Sequence, residues 1–217
     1  SGTEGGTQYS YQSDPYALTN VKDSTDYFIA VKVTSVWAGE ANTQWELQTV
    51  SSKGILDWDK NIWTHSISGY EEQFNQDLNG DGGIGAVRTA INTDSTGETL
   101  AKDSDNGLWI VDGNNNIVIR DQDGGTPNFD YLETWGSFSR TSSAYAIAKQ
   151  ANGKYLLAIK IVETNGDDSE TFWETFQISS TGILDWDSGT FGSGIAKTEE
   201  SFNQDLNNDG TTGIKVS

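Results

Sequence analysis

Residues 71–82, "EEQFNQDLNGDG", return as "EESFNQDLNNDG" at 199–210. The same shift of 128 positions carries Tyr27 onto Tyr155, Trp45 onto Trp173 and "SSKGILDWD" (51–59) onto "SSTGILDWD" (179–187), with no insertion between Tyr27 and Gly85. A chain that contains itself twice is constrained to fold as two related units, since each copy presents the same apolar pattern and must bury it in the same way. We place the first unit at 1–95, incomplete at its N-terminal side, and the second at 96–217. The second carries an additional hairpin at its start.

The periods inside each copy are those of strands. "YFIAVKV" sets Tyr27, Ile29, Val31 and Val33 on one face and Lys32 on the other, and "YLLAIKI" does the same with Tyr155, Leu157, Ile159 and Ile161. Alternation of this kind, in aromatic and β-branched residues, predicts half-buried strands. "QWELQTV" (44–50) and "FWETFQI" (172–178) read as the next strands, with Asn165-Gly166 and Asn152-Gly153 as turns. "LWIVD" (108–112) with "NIVIRD" (116–121) forms the extra hairpin, and 136–150 returns one more strand. The fold class expected is mainly β, as antiparallel meander or sandwich-like units.

The period changes before the repeated acidic segment. Tyr70, Phe74 and Leu78 recur every four residues, as on a short helix, and Ser68 followed by Glu71 spells a capping box. Asp77, Asn79, Asp81 and Gly82 then follow the D-x-[DN]-x-D-G spacing, as do Asp205, Asn207, Asp209 and Gly210. That spacing delivers side-chain oxygens at positions 1, 3 and 5 of an EF-hand-like loop, and position 7 adds a backbone carbonyl, here from Gly83 and Thr211. The hard cation suited to such a set is Ca2+. Position 12 departs from the pattern, because Arg88 and Val216 stand where an EF-hand has a bidentate acid. Either the loop is shorter or another element completes the shell, with Glu71, Glu72, Asp57 and Asp59, and Glu199, Glu200, Asp185 and Asp187 in the other copy, as candidates. The competing reading is an ordinary polar turn. Retention of the key residues in both copies, while Gly80 becomes Asn208 and Gly83 becomes Thr211, argues for the metal.

Phe74 to Gly85 and Phe202 to Gly213 resemble the ending F-x-Q-D-L-N-G-D-G-x-I-G of a tryptophan-rich C-terminal repeat domain found in large secreted cyanobacterial and marine-bacterial proteins. Thr212 stands in place of the Ile. "TWGSFSRTSSAYAIAK" is similar, at weaker identity, to that family's preceding stretch. The resemblance spans about 101–217, and about 16–88 as a second copy. It implies an extracellular accessory module with calcium loops, found in adhesin-like and hydrolase-bearing chains, beside neighbouring domains of a larger polypeptide. It implies no catalytic residue.

A formal net charge of −19, from 32 acidic against 13 basic residues, disfavours nucleic acid and anionic membrane surfaces as partners. The absence of cysteine excludes disulfides and thiol chemistry. No apolar run approaches the roughly 18 residues of a membrane span, so no membrane insertion is expected. No nucleophile with a base, and no single-copy pair of carboxylates, stands out, so the chain is read as a non-enzyme.

Two functions remain. One is a secreted bacterial structural or adhesive module stabilised by calcium. The other is a calcium-dependent module that binds a polysaccharide or cell-surface glycan, on whose sugar rings exposed aromatics would pack. Trp45, Trp58, Trp173 and Trp186 are matched between copies and read as core. Trp37, Trp109 and Trp135 have no exact partner and are the candidate ligand-binding residues. The acidic stretches 103–105, 121–123 and 167–168 read as plain turns, and His65 as a surface residue.

Overall fold

The computed structural model describes residues 2–4, 7–37 and 40–214. The fold is mainly β with antiparallel sheets. A five-stranded meander runs through β1 (Gly2–Glu4), β2 (Thr7–Asn20), β3 (Tyr27–Trp37), β4 (Glu40–Val50) and β5 (Leu56–Thr64), followed by α1 (Ser68–Phe74). A four-stranded sheet follows, of β6 (Arg88–Thr93), β7 (Thr99–Asp103), β8 (Leu108–Asp112) and β9 (Asn115–Val118). The second meander comprises β10 (Tyr131–Trp135), β11 (Phe138–Lys149), β12 (Tyr155–Asn165), β13 (Asp168–Ile178) and β14 (Leu184–Gly192), and it too ends in a helix, α2 (Ala196–Phe202). Two compact units result: Ser1–Val87 with Asp103–Gly107 and Asp123–Thr126, and Arg88–Lys102 with Leu108–Gln122 and Pro127–Ser217.

In the second unit the central strand is buried on both faces rather than one. Tyr155, Leu157, Ile159 and Ile161 pack with Ile178 and Leu184 against Leu100, Leu108, Ile110 and Ile119. Ala158 faces the other way, where Ala146, Ala148 and Trp173 meet Ile195, Phe202 and Leu206. The small alanines let the helix come close to the sheet, which is why "YLLAIKI" carries apolar residues at consecutive positions. In the first unit Phe28, Ala30, Trp45 and Leu47 take the helix-facing role, against Ile67, Tyr70, Phe74 and Leu78.

The duplication extends further upstream than sequence identity indicates. A β-bulge interrupts β2/β3 between Pro15 and Ala17, and β11/β12 between Ala144 and Ala146. The extra residue is a tyrosine each time. Tyr16 stands edge-on to Trp45, with centroids 5.4 Å apart, and Tyr145 stands edge-on to Trp173 at 5.1 Å. Lys32 and Lys160 lie over these indoles at 5.6 and 5.9 Å. The shift here is 129, because the turn at 21–26 is one residue longer than that at 150–154.

Tyr155 donates its hydroxyl to Asp112 Oδ2 at 2.8 Å, and Lys149 Nζ approaches the same oxygen at 2.6 Å. Burial, followed by the bond to Asp112, pushes the phenol up from 10.0 to about 12. The unfolded chain loses this proton near pH 10.0 and the folded chain only near 12. The stability it contributes is therefore present below pH 10 and lost as pH rises towards about 12. Absorbance titration of phenolate should show one late-titrating tyrosine, absent in Tyr155→Phe. Titration of every tyrosine below pH 11 would contradict this assignment.

Candidate calcium loops

Each helix ends in a left-handed asparagine, Asn75 (φ 53°) or Asn203 (φ 50°), which turns the chain into the acidic segment. The expected capping box is absent. Ile67 occupies the N-cap without a side-chain bond, and Ser68 Oγ instead accepts from Asn79 Nδ2 at 3.0 Å. Glu71 is not available for the cap because its carboxylate serves the opposite end of the helix. Glu71 Oε1 accepts the N–H groups of Leu78 (2.8 Å) and Asn79 (3.0 Å), and Oε2 accepts that of Gly85 (3.0 Å). Glu199 repeats this with Leu206 (2.9 Å), Asn207 (3.0 Å) and Gly213 (3.0 Å). Both glutamates are fully buried. Burial raises the Glu71 carboxyl above its usual range, and the three N–H groups oppose that rise.

Within the loop, alternate side chains fold back over the backbone. Asp77 accepts from Gly80 N at 2.7 Å and Gly82 N at 2.9 Å, one on each oxygen. Asn79 Oδ1 accepts from Asp81 N, and Asp81 Oδ1 from Gly83 N, each at 3.0 Å. In the second copy Asp205 accepts from Asp209 N (3.1 Å) and Gly210 N (2.9 Å). Asn207 Oδ1 accepts from Asp209 N (2.9 Å), and Asp209 Oδ1 from Thr211 N (3.0 Å). Gly82 and Gly210 hold φ of 93° and 86°, a conformation that side chains resist. A carboxylate offers about four lone-pair directions, so one N–H per oxygen leaves capacity for a cation.

The first loop is braced by the 103–105 turn. Ser104 Oγ donates to Asp81 Oδ2 at 2.7 Å, and Asn79 Nδ2 donates to Asp105 Oδ2 at 3.0 Å. The Ser104 bond is the main reason that Asp81 lies below the usual carboxylate range. Asp105 lies above it through burial. The 103–105 turn is thus more than a plain turn, since it ties to both the acidic loop and the helix start, where Ile67 N donates to Asp105 Oδ2 at 3.3 Å. Among the described residues, no three His, Cys, Asp or Glu side chains form a ready metal cluster. Each loop supplies two aspartates and an asparagine, an all-oxygen set at alternate positions. That chemistry suits calcium rather than a transition metal.

Position 12 of the first loop, Arg88, begins β6 and sets its guanidinium 4.8 Å over the Trp109 ring. Val216 lies outside the described residues. The tryptophans divide differently from expectation. Trp45 and Trp173 are buried, but Trp58 is 67% exposed and Trp186 nearly half exposed on the edge strands β5 and β14, Trp186 packing on Phe129 and Phe176 at 5.7 and 5.4 Å. Trp109 is buried in β8. Trp37 and Trp135 are exposed at strand ends, with Trp135 stacked on Phe138 at 5.6 Å. His65 is half-buried, and burial holds its imidazole below the usual value.

Compared with known proteins, the chain matches no family model, no curated protein and no solved structure. Among the described residues, no helix is long and apolar enough to cross a membrane.

Proposed function

We propose that the protein is a calcium-binding extracellular module of a large secreted bacterial protein, structural or adhesive in role. Calcium would be held near Asp77, Asn79 and Asp81 and near Asp205, Asn207 and Asp209, with the carbonyls of Gly83 and Thr211 as further ligands. One observation carries this reading. Two loops of drifting sequence keep the same hydrogen-bonded frame, each fastened to its helix by a buried glutamate. The role is structural, because each loop closes a helix and no activated nucleophile adjoins it. Bound calcium supplies positive charge that offsets repulsion between the paired carboxylates. Extracellular modules of this class bind at about 10⁻⁴–10⁻³ M.

Isothermal titration at millimolar calcium should return two ions per chain. Asp77→Ala should remove one and Asp205→Ala the other. A titration without heat or saturation would end this reading. The exposed Trp37 and Trp135 favour, as a second reading, a glycan-binding module on a polysaccharide-active enzyme. A glycan array probed with and without calcium separates the two.

A further inference from the structure

The two meanders differ in what covers them. Direct pairing places Leu18 beside Ile29, and joins Tyr27, Val50 and Leu56 across one face of the first sheet. The same pairing in the second sheet joins Ile147 to Leu157, and Tyr155, Ile178 and Leu184 to one another. In the second unit this patch lies beneath β6–β9 and is lost to solvent: Ile147, Tyr155 and Leu184 are 1%, 3% and 0% exposed. Their counterparts Leu18, Tyr27 and Leu56 are 63%, 38% and 36% exposed.

The backbone tells the same story. At the start of β14, Arg120 N donates to Gly182 O at 2.9 Å, and Leu184 N donates to Arg120 O at 2.7 Å. Val118 O lies 2.2 Å from where a Cβ on Gly182 would stand, so the covering chain requires glycine there. Gly54 keeps a related conformation (φ 76°, against 91° at Gly182), and a Cβ there would meet nothing within 4 Å. Among the described residues no strand lies beyond β5, so Gly54 O and Leu56 N face an open edge.

We propose that this face of the β1–β5 sheet is a docking site for a four-stranded antiparallel sheet of the β6–β9 kind. The occupant presents apolar residues in the places of Leu100, Leu108, Ile110 and Ile119, and ends in a residue that pairs, as Arg120 does, with Gly54 O and Leu56 N. Tyr27 retains the hydroxyl that Tyr155 uses on Asp112, which assigns the occupant an acidic residue at that position. Gln44 and Gln48 stand where the second unit has Phe172 and Phe176, so the occupant is polar at that end, where Phe129 packs in the second unit. This inference does not depend on calcium.

The test extends the full chain ahead of β1 with a second copy of residues 88–130 and follows amide hydrogen exchange by NMR. The Leu56 amide should slow at least tenfold, towards the rate of the Leu184 amide. The same extension carrying Leu108→Asp and Ile110→Asp should leave Leu56 as it is in the unextended chain. Leu18→Asp should be tolerated in the unextended chain yet abolish the new protection in the extended one. The proposal is overturned by an added copy that stays unprotected, or by unchanged Leu56 exchange while Leu184 remains protected. Protection of Leu56 by a soluble β-glucan, with none from the extension, would make the face a sugar platform and also overturn it.

Discussion

Glu199→Ala should destabilise the second unit by at least about 3 kcal/mol, since a buried acceptor is removed and three donors stay behind at about 1–3 kcal/mol each. Three N–H groups would lose their acceptor, those of Leu206 and Gly213 buried and that of Asn207 part-buried. Glu200→Ala, one residue on and exposed, should change stability by no more than about 0.5 kcal/mol. Glu199→Gln should recover only part of the loss, because its amide nitrogen would face one of the donors. Urea denaturation followed by tryptophan fluorescence measures all three. A loss below about 1 kcal/mol for Glu199→Ala would show that the loop is fastened some other way.

Gly182→Ala should be similarly damaging, and Gly54→Ala much less so, although both lie in "SS-x-GILDWD". Both glycines hold positive φ, which costs an L-residue about 1–2 kcal/mol. At Gly182 the new methyl would also meet Val118 O at 2.2 Å and Ile117 Cγ2 at 2.7 Å. Overpacking of that kind adds roughly 1–3 kcal/mol. We expect about 2–5 kcal/mol at Gly182 and about 1–2 at Gly54, read from denaturant midpoints. Equal losses at the two sites would mean that the β9 contact does not hold the second sheet in solution.

Strand alternation and the repeated acidic segment made the two β units and their short helices legible, because period and turn chemistry are local properties. Three features are not local. β6 and β7 are short and broken by Asp94, Gly97 and Asp103, so no period rises above the turn residues around them. β2 reads as polar over 7–14, since its pairing rather than its composition makes it a strand. The single extra residue at 21–26 shifts the register of the repeat and conceals the match of Tyr16 to Tyr145. Within the candidate site, Asp77, Asn79 and Asp81 were legible from spacing. Glu71 and Glu199 stood out as possible ligands, and Glu71 also as a capping-box partner of Ser68. Their role in fastening the loop depends on N–H groups seven, eight and fourteen residues away. Trp58 and Trp186 misled because a match between copies indicates a shared place in the fold, and here that place is an edge strand, where both rings keep solvent contact.

The calcium reading makes a thermal prediction for the unaltered chain. At free calcium a hundred times the dissociation constant, each independent site should stabilise its unit by roughly 2.7 kcal/mol. For units of this size that amounts to a rise of roughly 10–20 °C in melting temperature. Calorimetric scans at free calcium a hundred times the dissociation constant, about 10–100 mM for sites of this class, and in excess chelator measure it directly. The account predicts that both units melt higher in calcium and that Asp77→Ala and Asp205→Ala each abolish the rise in one of them. Superimposable scans with and without chelator would contradict it, and the repeated loops would then be polar turns fastened by Glu71 and Glu199.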